Sequence, residues 1–244
     1  SVDENGHAVC KTDLPFGSYY LKELSTDGHY ILSDEKYPIV FDYAGQDTAL
    51  VEIKVNNGNP IGNDLIYGEI HGLKKDEDGN ALGGALIGLF KADCTEFTRE
   101  NAILTATSAE DGGFSFADVP YGNWLVREIK APTGFVLSDE TFAVTVDKDG
   151  AVIEVEIENT RICGTVQLTK VDKDYPDNKL TGAEFTVYRD SNGNKELDAD
   201  DELVGTLTET GIGVYEISDL LYGGYYVKET KAPEGFYLDG NAYY

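Results

Sequence analysis

Short runs of alternating apolar and polar residues, punctuated by Gly, Asn and Asp, fill this chain and predict β-strands separated by turns. Ile153, Val155, Ile157 and Asn159 fall on one side of such a strand, with Glu154, Glu156 and Glu158 on the other. Val166, Leu168 and Lys170 likewise oppose Thr165, Gln167 and Thr169. Ile70, Gly72 and Lys74 form a weaker version that still selects Lys74 over Lys75. In an earlier run, Ile53, Val55 and Asn57 share a face. The same period groups Tyr19, Leu21 and Glu23; Trp124, Val126 and Glu128; and Tyr225, Val227 and Glu229. Every one of these patterns sends a polar or charged group to the side that should form the core.

The glutamate strands belong to a repeat. Gly17-Ser-Tyr-Tyr-Leu-Lys-Glu23, Gly122-Asn-Trp-Leu-Val-Arg-Glu128 and Gly224-Tyr-Tyr-Val-Lys-Glu229 place their glutamates 105 and 101 residues apart. Further matches are Lys74-Lys-Asp76 with Lys170-Val-Asp172, and Leu82-Gly-Gly84-Ala85 with Leu180-Thr-Gly182-Ala183. The repeat divides the chain into 1–64, lacking its lysine strand, a complete unit at 65–160, and 161–244, lacking its last strand. An internal stretch of a longer protein is expected, and the near absence of linkers predicts a stiff rod.

Composition narrows the partners. A net charge of −26 argues against nucleic acid and anionic membrane surfaces, which call for Lys and Arg. The 16 Tyr and 27 Gly suit an all-β chain, and no apolar run is long enough to insert in a membrane as a helix. Neither a signal peptide nor a methionine is present, which fits a processed product or a segment. Cys10, Cys94 and Cys163 cannot all pair within one chain and match no metal motif. His7, His29 and His71 are scattered without zinc spacing.

A lysine, a glutamate and an asparagine directed into one apolar core pose an energetic problem, because unpaired buried charges cost several kcal/mol each. Two solutions are open. The lysine and glutamate can form a buried ion pair supported by the amide. Alternatively, desolvation favours a neutral amine and a neutral acid. The amine can then attack the asparagine carboxamide while the acid shuttles protons, leaving a Lys–Asn amide and ammonia.

The segments Lys-x-Asp, Leu-x-Gly-Ala, Pro-x-Gly-x-Tyr-x-x-x-Glu and Ala-Pro-x-Gly-Phe, together with a terminal Asn, resemble CnaB-type domains. These prealbumin-like, SpaA-like domains build stalks and pilin shafts on Gram-positive bacteria. The resemblance covers the whole chain and implies all-β, tandem Ig-like β-sandwich domains. It makes Lys74 the amine, Glu128 the catalytic acid and Asn159 the acceptor. Lys170 and Glu229 match in the third unit, with an acceptor expected beyond Tyr244. Glu23 and Asn57 match in the first, with the lysine upstream of Ser1. Ser25-Thr-Asp27 departs there from the Lys-Ala-Pro of the other two.

A second site is expected between Asp190 and Asp201. Asp190, Asn192, Asn194, Glu196, Asp198 and Asp201 have the spacing of a 12-residue calcium loop, with Glu196 acting through its carbonyl. Lys195 stands at the position usually held by Gly, and the last ligand is Asp rather than Glu. The loop also resembles those of dockerins and bacterial adhesin repeats; the competing reading is a solvated acidic hairpin. Trp124, on the inward face, reads as core rather than a sugar-stacking platform.

The expected role is structural: a secreted, cell-wall-associated adhesin stalk or pilus shaft, strengthened by self-made cross-links and Ca²⁺, and not a turnover enzyme. Its partners would be neighbouring domains of the same chain, other pilin subunits or a host ligand, without membrane insertion. The alternative is a module that itself grips host matrix or glycan. A hydrolase carrying these domains as accessories would need its catalytic domain elsewhere.

Overall fold

The computed structural model describes residues 2–10, 12–48 and 51–244. Its strands are β1 (Gly17–Lys22), β2 (Lys36–Phe41), β3 (Tyr67–Asp76), β4 (Leu86–Lys91), β5 (Leu104–Thr107), β6 (Gly113–Pro120), β7 (Gly122–Lys130) and β8 (Thr141–Val146). They continue as β9 (Ala151–Asn159), β10 (Cys163–Thr169), β11 (Glu184–Arg189), β12 (Glu202–Thr206), β13 (Thr208–Gly211), β14 (Val214–Leu221), β15 (Tyr225–Lys231) and β16 (Ala242–Tyr243). The single helical piece among the described residues is a 3-10 turn at Val55–Gly58.

The chain falls into two compact units. One comprises Ser1–Ile70, Phe116–Trp124 and Ala143–Glu154; the other comprises His71–Ser115, Leu125–Phe142 and Val155–Tyr244. In the first unit, β1 and β2 form an antiparallel pair with Tyr19 opposite Ile39 and Leu21 opposite Tyr37. Its chain path closes through Ile66, whose N–H donates to the His29 carbonyl at 2.9 Å and whose own carbonyl accepts from Tyr121 at 3.0 Å. The His29 and Tyr121 rings lie 4.6 Å apart.

The sheets that surround the central repeat have the orders β6-β3-β9 and β5-β4-β7-β8. Ile87 and Leu89 on β4, Val126 on β7 and Ile157 on β9 are buried, as the alternation requires, while Phe90 is buried on the opposite face of β4. The gap at Gly72 also has a reason. A Cβ there would lie 1.9 Å from Cζ of Phe114, so the ring occupies the place of a side chain on β3. In the last repeat β12-β11-β15-β16 matches the order β5-β4-β7-β8, whereas the other sheet, β10-β14-β13, has β10 at its edge and β14 in the middle. Ala183, Phe185, Val187, Leu207, Tyr215 and Leu220 form its core. The Tyr215 hydroxyl is held by Leu180 and Ala183 main-chain groups, each at 3.1 Å.

Two local devices recur. Asp118 and Asp219 both adopt left-handed φ (51° and 59°), which shifts the strand by one position. Val119 and Leu220 thereby turn inward after runs that had placed residues of the other parity there. The aromatic four residues before each repeated glutamate reaches back to lock its corner. Tyr19 donates to Pro15 O at 2.7 Å, Trp124 to Pro120 O at 2.9 Å and Tyr225 to Leu221 O at 2.5 Å. The indole therefore serves the fold through its polar edge.

Candidate functional site

Three strands deliver one polar group each into the second unit's apolar interior. β3 brings Lys74, β7 brings Glu128 and β9 brings Asn159, exposed by 0%, 1% and 2%. Alternation along each strand explains the common face, since Val126 and Ile157 precede Glu128 and Asn159 by two residues and are themselves buried. Asn159 Nδ2 donates to Glu128 Oε2 and to the Val136 carbonyl, both at 2.6 Å. Lys74 Nζ donates to the Ile157 carbonyl at 3.1 Å and stands 3.7 Å from Glu128 Oε1, beyond hydrogen-bond length. Glu128 Oε1 and Asn159 Oδ1 have no hydrogen-bond partner among the described residues. Burial lowers the Lys74 pKa below the ordinary lysine value, outweighing the opposing charge of Glu128. One carboxyl group thus touches the nitrogen of a carboxamide on one oxygen and faces an amine with a lowered pKa on the other.

The carboxyl is placed by a main-chain contact that strand alternation cannot reveal. Oε2 of Glu128 accepts the N–H of Ser138 at 2.9 Å, ten residues downstream. Glu23 accepts from Ser33 at 3.1 Å and Glu229 from Asp239 at 2.8 Å, again ten residues on. Each of these downstream residues also caps its own turn, accepting the N–H two residues later (Glu35, Glu140, Asn241). A Ser or Asp at a fixed ten-residue offset was the available sequence signal.

In the first unit the asparagine that meets the glutamate is not the expected Asn57. Asn57 lies in the Val55–Gly58 turn with φ of 53°, and the Ile53–Asn57 run is not a strand among its described residues. Asn63 meets the glutamate instead: its Nδ2 donates to Glu23 Oε2 at 2.6 Å and to the Ile31 carbonyl at 2.9 Å. The match with Asn159, which binds Glu128 and Val136, is group for group. The period-two reading failed because Asn56 and Asn57 both adopt left-handed φ, which ends any extended run. The better signal was spacing, since Asn63 precedes Gly68 as Asn159 precedes Gly164, by five residues. Hydrogen bonds from Asn63 and Ser33 hold the Glu23 carboxyl below its ordinary pKa. In the third repeat, Lys170 Nζ meets Glu229 Oε1 at 2.8 Å, with the lysine side chain 22% exposed and the glutamate buried.

The Asp190–Asp201 loop is closed by its own side chains. Asp190 accepts the N–H groups of Gly193 and Lys195, Asn192 that of Asn194, and Asn194 that of Glu196. Asp198 Oδ2 receives the amides of Asn192 and Asn194, and Asp201 accepts from Ser191 and Asp198. Lys195 adopts φ of 60°, the conformation for which a glycine is usual at that position. Among the described residues no group of three or more His, Cys, Asp or Glu is drawn together tightly enough to hold a metal. Cys10, Cys94 and Cys163 are free thiols. No helix among the described residues is long and apolar enough to cross a membrane.

The Bacillus anthracis TIE protein is similar in structure, with a TM-score of 0.72 and 27% identity over 94% of this chain. The chain spans 39% of that protein. A streptococcal ancillary pilin gives a TM-score of 0.37 at 20% identity, covering 94% of this chain and 71% of its own. Colossin-A of Dictyostelium discoideum is 25% identical over 256 aligned positions, which cover 94% of this chain and 2% of that protein. The model of the SpaA prealbumin-like fold domain matches residues 68–161 and again 164–244. These stretches contain both lysine-bearing first strands and the sheets built on them, so the chain belongs to the SpaA prealbumin-like fold domain family.

Proposed function

We propose that this chain is a load-bearing segment of an extracellular stalk or pilus shaft, whose central repeat cross-links itself between Lys74 and Asn159. The observation that carries the reading is the buried carboxyl of Glu128, shared between Asn159 Nδ2 at 2.6 Å and Lys74 Nζ at 3.7 Å. A buried ion pair alone would leave Asn159 Oδ1 and Glu128 Oε1 without hydrogen bonds in the core, an arrangement that costs stability.

The reaction balances without any co-reactant. Starting from the amine and carboxylic acid forms, Nζ of Lys74 attacks Cγ of Asn159. The proton released from Nζ passes to Glu128, which returns one to Nδ2, and that nitrogen departs as ammonia. An amide replaces an amine and a carboxamide. The step occurs once per molecule, so the protein is a substrate of its own chemistry rather than a turnover catalyst.

Connectivity gives the bond a mechanical meaning. Chain tension enters the central repeat along β3 and leaves along β9. A Lys74–Asn159 amide passes that load directly between the two strands and shields the 84 residues between its anchors. Natural partners on this reading are neighbouring domains of a longer surface protein and other shaft subunits.

Calcium binding by the Asp190–Asp201 loop is part of the same proposal. Its support is the ligand spacing, the left-handed Lys195, and the buried Tyr226 hydroxyl, which lacks a hydrogen-bond partner among the described residues. Burial, then the charges of Asp190 and Asp201, raise the pKa of that phenol.

The deciding test of the cross-link is the intact mass of the unfolded chain. A deficit of one ammonia, mapped by peptide analysis to Lys74 and Asn159 and absent in Lys74→Ala, supports the reading. The unshifted mass would leave only an ion pair.

A further inference from the structure

Arg161 is engaged by three carboxylates at once. Its Nη2 contacts the Asp76 carboxylate, and its Nη1 reaches Asp78 at 2.5 Å and Glu77 at 3.3 Å. Its own N–H points to the Glu77 carboxylate at 3.3 Å. Asp76 is buried, yet its pKa is lowered. Burial opposes the anion, but hydrogen bonds from Asn80 and Asp78 and the guanidinium charge outweigh it. A guanidinium fork spread over three carboxylates is a rigid connection, because its donors are fixed in one plane.

The place of this connection matters. Asp76 follows Lys74 by two residues and Arg161 follows Asn159 by two, so each shares the strand parity of its partner in the site. The ion pair is therefore the next rung beyond the reactive one. On the opposite side, the Asn159–Ile162 segment is zipped to Gly134–Val136. Val136 N donates to Thr160 O at 2.9 Å, and Ile162 N donates to Gly134 O at 2.8 Å. Val136 O is also the acceptor that orients the Asn159 carboxamide. Arg161 thus ties this zipped segment to the end of β3.

At the corresponding bridge in the first unit, Leu65 pairs with Tyr30 where Arg161 pairs with Phe135. Asp172, the counterpart of Asp76, accepts the main-chain N–H groups of Asp174 and Tyr175.

We propose that Arg161 is a positioning residue for the cross-link, fixing the register of β9 against β3 so that Asn159 and Lys74 meet on the same carboxyl group. This rests on the cross-linking reading. Loss of the ionic rung lets the end of β9 slide or fray relative to Lys74, and an offset of about 1 Å at reacting atoms slows a reaction by as much as roughly a hundredfold.

The test uses the full 244-residue chain synthesised cell-free and sampled over time by intact mass, with folding followed by Trp124 fluorescence. Arg161→Leu, which copies the first unit, is expected to reach the folded signal while losing ammonia at least about tenfold more slowly. Arg161→Lys should recover part of the rate. Adding Asp76→Asn to Arg161→Leu should slow it no further, because both remove the same pair. If folded Arg161→Leu reacts at the wild-type rate, or if Lys is no better than Leu, the positioning role is wrong although the cross-link stands. Should Arg161→Leu fail to fold, the Lys and Asp76→Asn single variants decide, and wild-type rates in both would overturn the proposal. A wild-type chain that never loses ammonia overturns the cross-link itself and this role with it.

Discussion

Asn159 donates Nδ2 to Oε2 of Glu128 at 2.6 Å, although 31 residues of chain separate them. The contact places a potential leaving group on a potential acid inside an apolar core. Asn63 makes the same 2.6 Å contact with Glu23, so the pairing is a property of the repeat and not of one interface.

Glu128→Gln should keep the fold but leave Lys74 and Asn159 unjoined. By analogy with a covalent closure of this loop size, the loss costs the central repeat about 4 kcal/mol. Chemical unfolding of the wild type and the variant, paired with intact mass, checks it. Equal stability despite a mass difference would show that the bond carries no constraint.

Rate should depend on pH through Lys74. Burial lowers its pKa from the ordinary value of 10.5, so the unprotonated amine is available at lower pH than in a free lysine. Cross-linking should slow as pH falls through the lowered value, because protonation removes the lone pair, and should level off above it. Time courses of ammonia loss at several pH values measure this; a rate that climbs all the way to the ordinary lysine value would contradict the lowered pKa.

Asn63→Ala should raise the Glu23 pKa toward its ordinary 4.5, while Asn57→Gly leaves it alone. The sign follows from linkage. A carboxyl with a lowered folded pKa contributes stability above 4.5 that is lost as pH falls through the folded value. The Asn63 variant should lose that acid sensitivity in part. Titration by NMR and acid unfolding read both effects, and an unchanged Glu23 titration would remove Asn63 from the site.

Calcium should raise the melting temperature of the wild type, and Asp190→Ala and Asp198→Ala should each abolish the response. Loss of Asp190 also removes acceptors for Gly193 and Lys195, so the variants are compared with and without the ion. A wild type that melts identically in calcium and in chelator would reduce the loop to a self-capped acidic turn.

Strand faces were legible in the sequence along β3, β7 and β9, whereas Leu21 on β1, grouped with Glu23 by the same period, is exposed. Glu128, Asn159 and Lys74 could be assigned to the core from alternation alone, because a strand turns every second side chain the same way. The all-β repeat followed from the recurring glutamate segment. Asn57 shows the limit: two left-handed residues cancel the period, and alternation contains no warning of it. Asp118 and Asp219 shift the inward parity for the same reason.

The sequence by itself determined which residue types face the core, how often they recur and which repeat contains all three. Those properties depend on local backbone geometry, which a two-residue period expresses directly. The partner of each group was decided only by tertiary structure. The choice of Asn63 over Asn57, the N–H groups of Ser33, Ser138 and Asp239, and the reach of Arg161 to Asp76 all arise where loops return the chain to a strand laid down earlier. Loop closure sets those meetings, and hydrogen-bond geometry selects among the candidates it brings near.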